Sequence, residues 1–310
     1  MIGAIIGDIV GSRFEWNNIK TKEFEFLTYR CMVTDDSIMS LAIAKALLES
    51  RGNYGILSAA AVKSMQEIGR PYPNCGYGGM FRQWIYSDHP APYNSFGNGA
   101  AMRVSACGIA AKNLAEAITL SRKVTEVTHN HPEGVKGAEA TAVCVFLVCA
   151  GKSIFEIRDY VDKHYYPMNF TLEGIRDGYS FNETCQGTVP QAIMAFLESA
   201  GFEDAIRNAI SIGGDSDTIA AITGGIAGAY FGVPNEIRKH ALTFLDERLL
   251  KILTDFENVY PPVFEKNVAE KTVKKNGRKR SIKGQTRQEV MQMSIAALTE
   301  LFNPDTEVKR

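Results

Sequence analysis

Apolar side chains recur every three or four residues along most of the chain, which is the periodicity of α-helices with one buried face. In residues 36–50, for example, Ile38, Leu41, Ala42 and Ala46 follow this spacing. The pattern predicts ten helices, at residues 36–50, 55–68, 100–111, 114–127, 134–150, 155–163, 189–200, 202–209, 217–231 and 236–253. The apolar N-terminal segment is read as helical as well.

Strand-like alternation is confined to residues 23–27, and neither a βαβ rhythm nor a repeat of fixed period is present. The sequence therefore predicts an all-α fold, a single compact multi-helix domain. The longest apolar stretches, 140–150 and 219–233, are shorter than the roughly 18–20 residues that a membrane span needs. We expect them to be buried core helices.

Charge divides the 310 residues into two unlike parts, although the formal net charge is only −1. Residues 265–310 carry 11 basic and 6 acidic side chains, whereas residues 1–264 carry 23 basic and 29 acidic ones. We predict one large globular domain at 1–264 and a basic extension at 265–310. Within the extension, 266–283 has the composition of an exposed linker and 286–302 that of a short amphipathic helix.

The basic extension has two readings. A solvated, flexible extension is the simpler one. The alternative is contact with an acidic partner such as nucleic acid, through Lys274, Lys275, Arg278, Lys279 and Arg280. The absence of aromatic side chains among these cations argues against base stacking.

The rest of the composition is that of an ordinary globular protein, with 45% hydrophobic and 22% charged residues. These values exclude extensive disorder, a collagen-like repeat and a disulfide scaffold. Six cysteines form no CxxC pair and are predicted to be reduced. The apolar start has no basic region and is interrupted by Asp8, unlike a signal peptide. We expect a cytoplasmic protein.

Two carboxylate clusters, distant in sequence, carry the strongest chemical signal. Each stands where a predicted helix begins and combines two acids with a threonine: Thr34, Asp35 and Asp36, and then Asp215, Asp217 and Thr218. Such oxygen ligands suit Mg²⁺ or Mn²⁺. Helix capping is the alternative for either cluster alone. Metal binding is favoured for both together, because adjacent acids repel each other unless a cation lies between them.

Three further segments carry weaker signals. Gly97-Asn98-Gly99 has the form of an anion-binding helix start, although a plain turn before a helix is the commoner explanation. His129-Asn130-His131 could ligate a metal, but a loop at a helix end fits better with only five histidines in the chain. Asp8, in an apolar helix, needs a partner, and Glu15 follows the glycine turn after it.

Together these segments resemble the ADP-ribosylglycohydrolases, the family that includes the dinitrogenase-reductase-activating glycohydrolases. The motifs GDIVGSRFE, TDDS, GNGAAMR, THNHPEGVKGAEA and GGDSDT occur in the family's order, and the likeness covers about residues 1–256. The resemblance implies an all-α fold that uses two Mg²⁺ ions, with Mn²⁺ as a substitute. It implies hydrolysis of the glycosidic bond between ADP-ribose and a modified protein side chain.

The resemblance also implies roles for individual residues. The metal ligands would be Thr34, Asp35, Asp36, Asp215, Asp217 and Thr218; the catalytic residues would be Asp36, Asp217 and Glu15; and the substrate would contact Gly97, Asn98, Gly99, His129, Tyr77 and Gly78. Two alternatives remain. One is a non-catalytic relative that binds ADP-ribose or is crystallin-like, and the other is a hydrolase of a different ADP-ribose conjugate.

Overall fold

Fourteen α-helices, besides a short 3₁₀-helix at Asn98–Ala100, form the regular structure of residues 1–261, the part of the chain that the computed structural model describes. They are α1 (Ile2–Gly11), α2 (Asp35–Ser50), α3 (Leu57–Gly69), α4 (Gly79–Tyr86), α5 (Ser105–Ala110), α6 (Leu114–Thr125), α7 (Pro132–Cys149), α8 (Ile154–His164), α9 (Leu172–Arg176), α10 (Cys185–Leu197), α11 (Phe202–Ser211), α12 (Ser216–Phe231), α13 (Asn235–Leu242) and α14 (Glu247–Val259). No strand occurs among these residues, so the predicted all-α class is confirmed.

Polar residues fix many of the helix starts. The side chains of Asn113, Ser153, Thr171, Thr184 and Asp246 each accept a backbone N–H from the first turn of the helix that follows them. These bonds satisfy donors that a helix start leaves unpaired. Nine of the ten predicted helices recur, with their ends displaced by up to five residues.

One predicted helix is wrong, and the brief alternation noted at 23–27 is no strand. The helix expected at 236–253 is divided into α13 and α14, because the Asp246 carboxylate accepts the N–H of Leu249 at 2.9 Å and starts a new helix. The alternation at 23–27 forms no strand. There the Phe24 ring packs on Phe14, 4.9 Å between centroids, and Arg207 donates to the Phe24 carbonyl, so side chains hold the segment.

The two long apolar stretches form α7 and α12, and most of their side chains are buried as predicted. None of the helices in residues 1–261 combines the length and the apolar character needed to cross a membrane. The most extensive helix pairing is that of α1 with α12. These two apolar helices therefore form the centre of the core.

The approach of α1 to α12 is close because glycine lies at the contact. A Cβ atom on Gly7 would stand 1.9 Å from the carbonyl oxygen of Ala220, and one on Gly11 would stand 2.5 Å from the Cα of Asp217. The C-terminal end of α1 thus lies against the N-terminal end of α12. Helix α2 packs on both of them. The starts of α2 and α12, which carry the two carboxylate clusters, therefore meet beside the end of α1.

The basic extension predicted at 265–310, with its linker and its amphipathic helix, lies outside the described residues. The domain boundary at 264 stays a prediction, as does the role of the basic side chains.

Replacing Gly7 by alanine tests the packing of α1 on α12. The added methyl group meets backbone atoms that cannot move aside without separating the helices, and overpacking of this kind costs about 1–3 kcal/mol or more. We expect Gly7→Ala to lower the melting temperature by about 5 °C or more. Gly178→Ala is the matched control, because a Cβ there meets no atom within 4 Å. Equal melting temperatures for the two variants would contradict this packing.

Candidate active site

Asp8 joins the end of α1 to the start of α2. Its buried carboxylate accepts hydrogen bonds from the Thr34 hydroxyl at 2.5 Å and from the backbone N–H groups of Thr34 and Ser37, both at 3.1 Å. Three donors supply the partners that a buried carboxylate requires. The bonds also fix Thr34, which caps α2, and so set the direction in which Asp36 leaves the helix start.

Two groups of acids lie where the three helices meet. Carboxylate oxygens of Asp8, Asp36 and Asp217 lie within 4.8 Å of one another, and so do those of Glu15, Asp215 and Asp217. Asp217 belongs to both groups and therefore connects them. The structure thus brings Asp36 of the first predicted cluster together with Asp215 and Asp217 of the second.

Helix capping explains only part of this arrangement. Thr34 does accept the N–H of Asp36, at 3.4 Å, as a cap would. Asp215, in contrast, stands at the cap position of α12 and makes no side-chain capping bond. The Oδ1 atom of Asp36 is buried and has no hydrogen-bond partner among the described residues. A buried carboxylate oxygen without a donor, facing other carboxylates, fits a cation site better than a cap.

Burial and crowding raise the pKa values of these acids. Burial is the main cause throughout: it raises the pKa of Asp8 to about 6, against opposing hydrogen bonds from Ser37 and Thr34. The pKa values of Asp36 and Asp217 rise well above the usual range through burial and then through neighbouring carboxylates. Burial followed by the charge of Asp215 raises the pKa of Glu15 to about 7. A divalent cation would reverse these shifts by stabilising the ionised forms.

The loop before α12 is held by a side chain from the segment that follows α1. Gly213 and Gly214 have φ angles of 70° and 81°, which residues other than glycine rarely adopt. Asn18 accepts the N–H of Gly214 at 2.7 Å and donates to its carbonyl at 2.8 Å. Asn18 also donates to the carbonyl of Glu15 at 2.9 Å. The amide therefore holds Glu15 and the Asp215 loop side by side.

Thr218 and Asn98 contact the acids directly. The Thr218 hydroxyl donates to the Asp36 carboxylate at 3.2 Å. A candidate metal ligand on α12 is therefore hydrogen-bonded to one on α2. The side-chain amide of Asn98 donates to Asp215 at 2.7 Å and to Thr188 at 3.1 Å. The glycine loop 97–99 is thereby connected to the carboxylate clusters through Asn98.

His129 lies behind the same loop. A Cβ atom on either Gly97 or Gly99 would be 3.5 Å from its Nε2 atom. Burial, with a smaller effect of the Arg103 charge, lowers the pKa of His129 well below its usual value, so the ring is neutral. His131 instead caps α7 by accepting the N–H of Glu133 at 3.1 Å. The two histidines therefore have different surroundings and do not form a joint metal site.

The segment 75–79 borders the first cluster. Asp35 donates its N–H to the Cys75 carbonyl at 3.0 Å, and a Cβ on Gly76 would lie 2.7 Å from an Asp35 oxygen. Gly78 stands immediately before α4, while the Tyr77 hydroxyl donates to the Gly69 carbonyl at 3.1 Å. The Tyr77 hydroxyl is therefore engaged within the fold, and of the glycines in this segment it is Gly76 that approaches Asp35.

The sequence did not identify Asp8 as a member of the site, although it indicated that a carboxylate in an apolar helix needs a partner. Asp35 belongs to neither group of clustered acids and is half-buried beside Cys75. Thr34 donates its hydroxyl hydrogen to Asp8, a member of the first group. Thr34, the other predicted ligands and Glu15 lie at the junction of α1, α2 and α12.

Comparison with known proteins places this geometry in context. The sequence profile described as ADP-ribosylglycohydrolase matches residues 1–266. ADP-ribosylhydrolase ARH3 of Xenopus tropicalis is 26% identical, and the match covers 75% of this chain and 86% of that protein. ADP-ribosylhydrolase ARH3 of Homo sapiens is 24% identical, and the match covers 75% of this chain and 84% of that protein. ADP-ribosyl-[dinitrogen reductase] glycohydrolase of Rhodospirillum rubrum is 24% identical, and the match covers 80% of this chain and 89% of that protein.

A solved structure described as an ADP-ribosylglycohydrolase-related protein complex has the same fold. It matches with a TM-score of 0.57 and 21% identity, covering 81% of this chain and 95% of the other. At this identity the likeness concerns the helical architecture alone.

The raised pKa values give a prediction about cation binding and pH. Because the folded acids hold protons more tightly than the unfolded chain does, metal-free stability should fall as pH rises from about 4 through about 8, the value to which burial, then the charge of Asp8, raises the pKa of Asp35. Ionised ligands bind a cation more strongly, so the stabilisation by added MgCl₂ should grow over the same interval. Melting curves with and without MgCl₂ at about pH 6 and pH 8 measure both effects.

The control for this measurement is the double variant Asp36→Asn, Asp217→Asn. It should lose the cation-dependent rise in melting temperature at both pH values. An undiminished rise in that variant would show that the cation binds elsewhere.

Proposed function

This chain belongs to the ADP-ribosylglycohydrolase family, and from that premise we propose that it is a Mg²⁺-dependent hydrolase that releases ADP-ribose from a modified protein side chain. The observation that carries the proposal is the meeting of Asp36, Asp215 and Asp217 with Glu15 at the end of α1. The curated relatives named above are hydrolases of ADP-ribosyl bonds by their names, which supports the reaction class.

The donor set fits divalent cations. Asp36, Asp217 and Asp215, with the Thr218 hydroxyl, offer hard oxygen atoms, and the unpartnered Oδ1 of Asp36 lacks only a positive partner. We propose that Thr34 and Asp35 complete a site for two Mg²⁺, which Mn²⁺ can replace. When bound, such ions supply Lewis-acid activation of water and of the ribose hydroxyls.

The protein's own groups carry the remaining steps. Breaking the bond at the anomeric carbon generates positive charge on the ribose, which buried carboxylates stabilise. Asp36 or Asp217 acts as the base that takes a proton from the attacking water, since both lie in the connected acid groups. Glu15, whose pKa lies near 7 without a cation, orients the ribose or donates a proton to the leaving group.

Substrate binding is assigned to the loops beside the acids. Gly97 and Gly99 expose backbone next to His129, and Asn98 connects this loop to Asp215, so a diphosphate on the loop would place its ribose near the acids. We propose Tyr77 and Gly78 as part of the wall on the Asp35 side.

Substitution of the clustered acids tests the proposal. Asp36→Asn and Asp217→Asn should each lower Mg²⁺-dependent release of ADP-ribose by about 100-fold or more, because the base and the cation ligands are lost together. Asp255→Asn is the control, since Asp255 pairs with Lys251 on the surface of α14 and should leave activity unchanged. Chromatographic detection of ADP-ribose released from arginine- and serine-linked peptides provides the measurement.

The outcomes separate the alternatives. A folded Asp36→Asn or Asp217→Asn enzyme with full activity would contradict the assignment of these acids. ADP-ribose binding by calorimetry, without turnover of any conjugate, would indicate a binding protein instead. Turnover of one linkage alone would identify the natural bond.

A further inference from the structure

Arg103 is a buried cation without a carboxylate partner. It is only 1% exposed, and no carboxylate of residues 1–261 lies within ion-pair distance of it. Its Nη2 atom donates to the Thr128 hydroxyl at 2.6 Å, while its Nε atom is buried without a partner. The lowered pKa of Arg103, about 10 through burial, still leaves the group charged at neutral pH.

The surroundings of this charge do not compensate for its burial. The ionisable groups that act on it are Tyr93, Cys185, Asp35 and Cys107, and their combined effect is smaller than that of burial. The guanidinium also lies over the Phe81 ring, 5.6 Å from its centroid. A buried charge that is not compensated is costly, so a group retained in this state calls for a counter-charge from outside the chain.

Arg103 and Thr128 both contact the Nδ1 side of the His129 ring. The Nδ1 atom of His129 lies 2.7 Å from the Thr128 hydroxyl and 3.4 Å from Arg103 Nη2. A guanidinium can only donate, so a hydrogen on Nδ1 would point at the donors of Arg103. The single hydrogen of the Thr128 hydroxyl has two acceptors within reach, Nδ1 at 2.7 Å and the Thr125 carbonyl at 3.2 Å. The shorter contact, together with the positive charge of Arg103 beside Nδ1, favours donation to Nδ1 and leaves the hydrogen of the neutral ring on Nε2.

The Nε2 atom is therefore a donor that faces the glycine loop. It has no hydrogen-bond partner in the described part of the chain, and the His129 residue is 5% exposed. Gly97 and Gly99 lie against it, each without a side chain that would cover it. An acceptor placed on this loop would meet the Nε2–H group.

We propose that Arg103 is a positioning residue that, through Thr128, fixes His129 as an Nε2–H donor for the diphosphate of ADP-ribose. The anionic diphosphate is the acceptor that this donor needs, and it also supplies the counter-charge that Arg103 lacks within the fold. The inference rests on the proposed function, since it takes ADP-ribose as the ligand.

Calorimetry with ADP-ribose and with adenosine separates positioning from general structural damage. Arg103→Met should weaken ADP-ribose binding by about ten-fold or more and leave adenosine binding within about two-fold, because only the former carries phosphates. Thr128→Val should weaken ADP-ribose binding in the same direction by a smaller factor. Arg207→Met is the control: Arg207 pairs with Glu203 and stacks on Phe24, far from the loop in sequence and function.

A second measurement needs no ligand and no variant of Arg103. In the full chain labelled with ¹⁵N-histidine, the ring nitrogens of His129, assigned with His129→Gln, should report the neutral Nε2–H form between about pH 6 and pH 8. This readout tests the position of the ring hydrogen even if Arg103→Met fails to fold.

Three results would overturn the inference. They are a folded Arg103→Met protein that binds ADP-ribose as the wild type does, an equal loss of adenosine binding, and an Nδ1–H or doubly protonated His129. Failure of the proposed function is seen separately, as a wild-type protein that neither binds ADP-ribose nor hydrolyses any conjugate.

Discussion

The close approach of α1 to α12 is the constraint on which the rest of the structure depends. Glycine at positions 7 and 11 lets the two backbones come together where any side chain would separate them. As a result, the end of α1 lies directly against the start of α12: Gly11 contacts Asp217, and the chain then continues to Glu15. Asp8 adds α2 to this pair through Thr34. A site assembled from three distant parts of the sequence thus rests on the most extensive helix pairing of the described core.

That assembly concentrates negative charge in a buried place. Asp8, Asp36 and Asp217 share one region, and the pKa values of all three are raised. Only Asp8 has several hydrogen-bond donors from the protein, so it belongs to the scaffold, whereas Asp36 keeps an oxygen without a partner. The excess of acids over bases in residues 1–264 is therefore partly a property of this site. The opposite situation occurs at Arg103, whose buried positive charge has no acid beside it.

Much of this could be predicted from the sequence, but its three-dimensional connections could not. Helical periodicity gave the all-α class, and the order of the motifs gave the family, because both are local patterns. The division of 236–253 into two helices depended on one capping carboxylate, Asp246, within an otherwise helical pattern. The role of Asp8 could not be read from its position, since its partners at Thr34 and Ser37 are brought to it only by folding. The contact of Asn98 with Asp215 joins residues 117 positions apart and has no local signature.

The central claim is that α1, α2 and α12 together build a cation site from their acids. Anomalous X-ray diffraction from crystals grown with MnCl₂ tests it most directly, because the ions themselves are located. The account predicts anomalous density in contact with the carboxylates of Asp36 and Asp217, at the end of α1. Manganese bound only elsewhere on the surface, with these carboxylates bare, would contradict it.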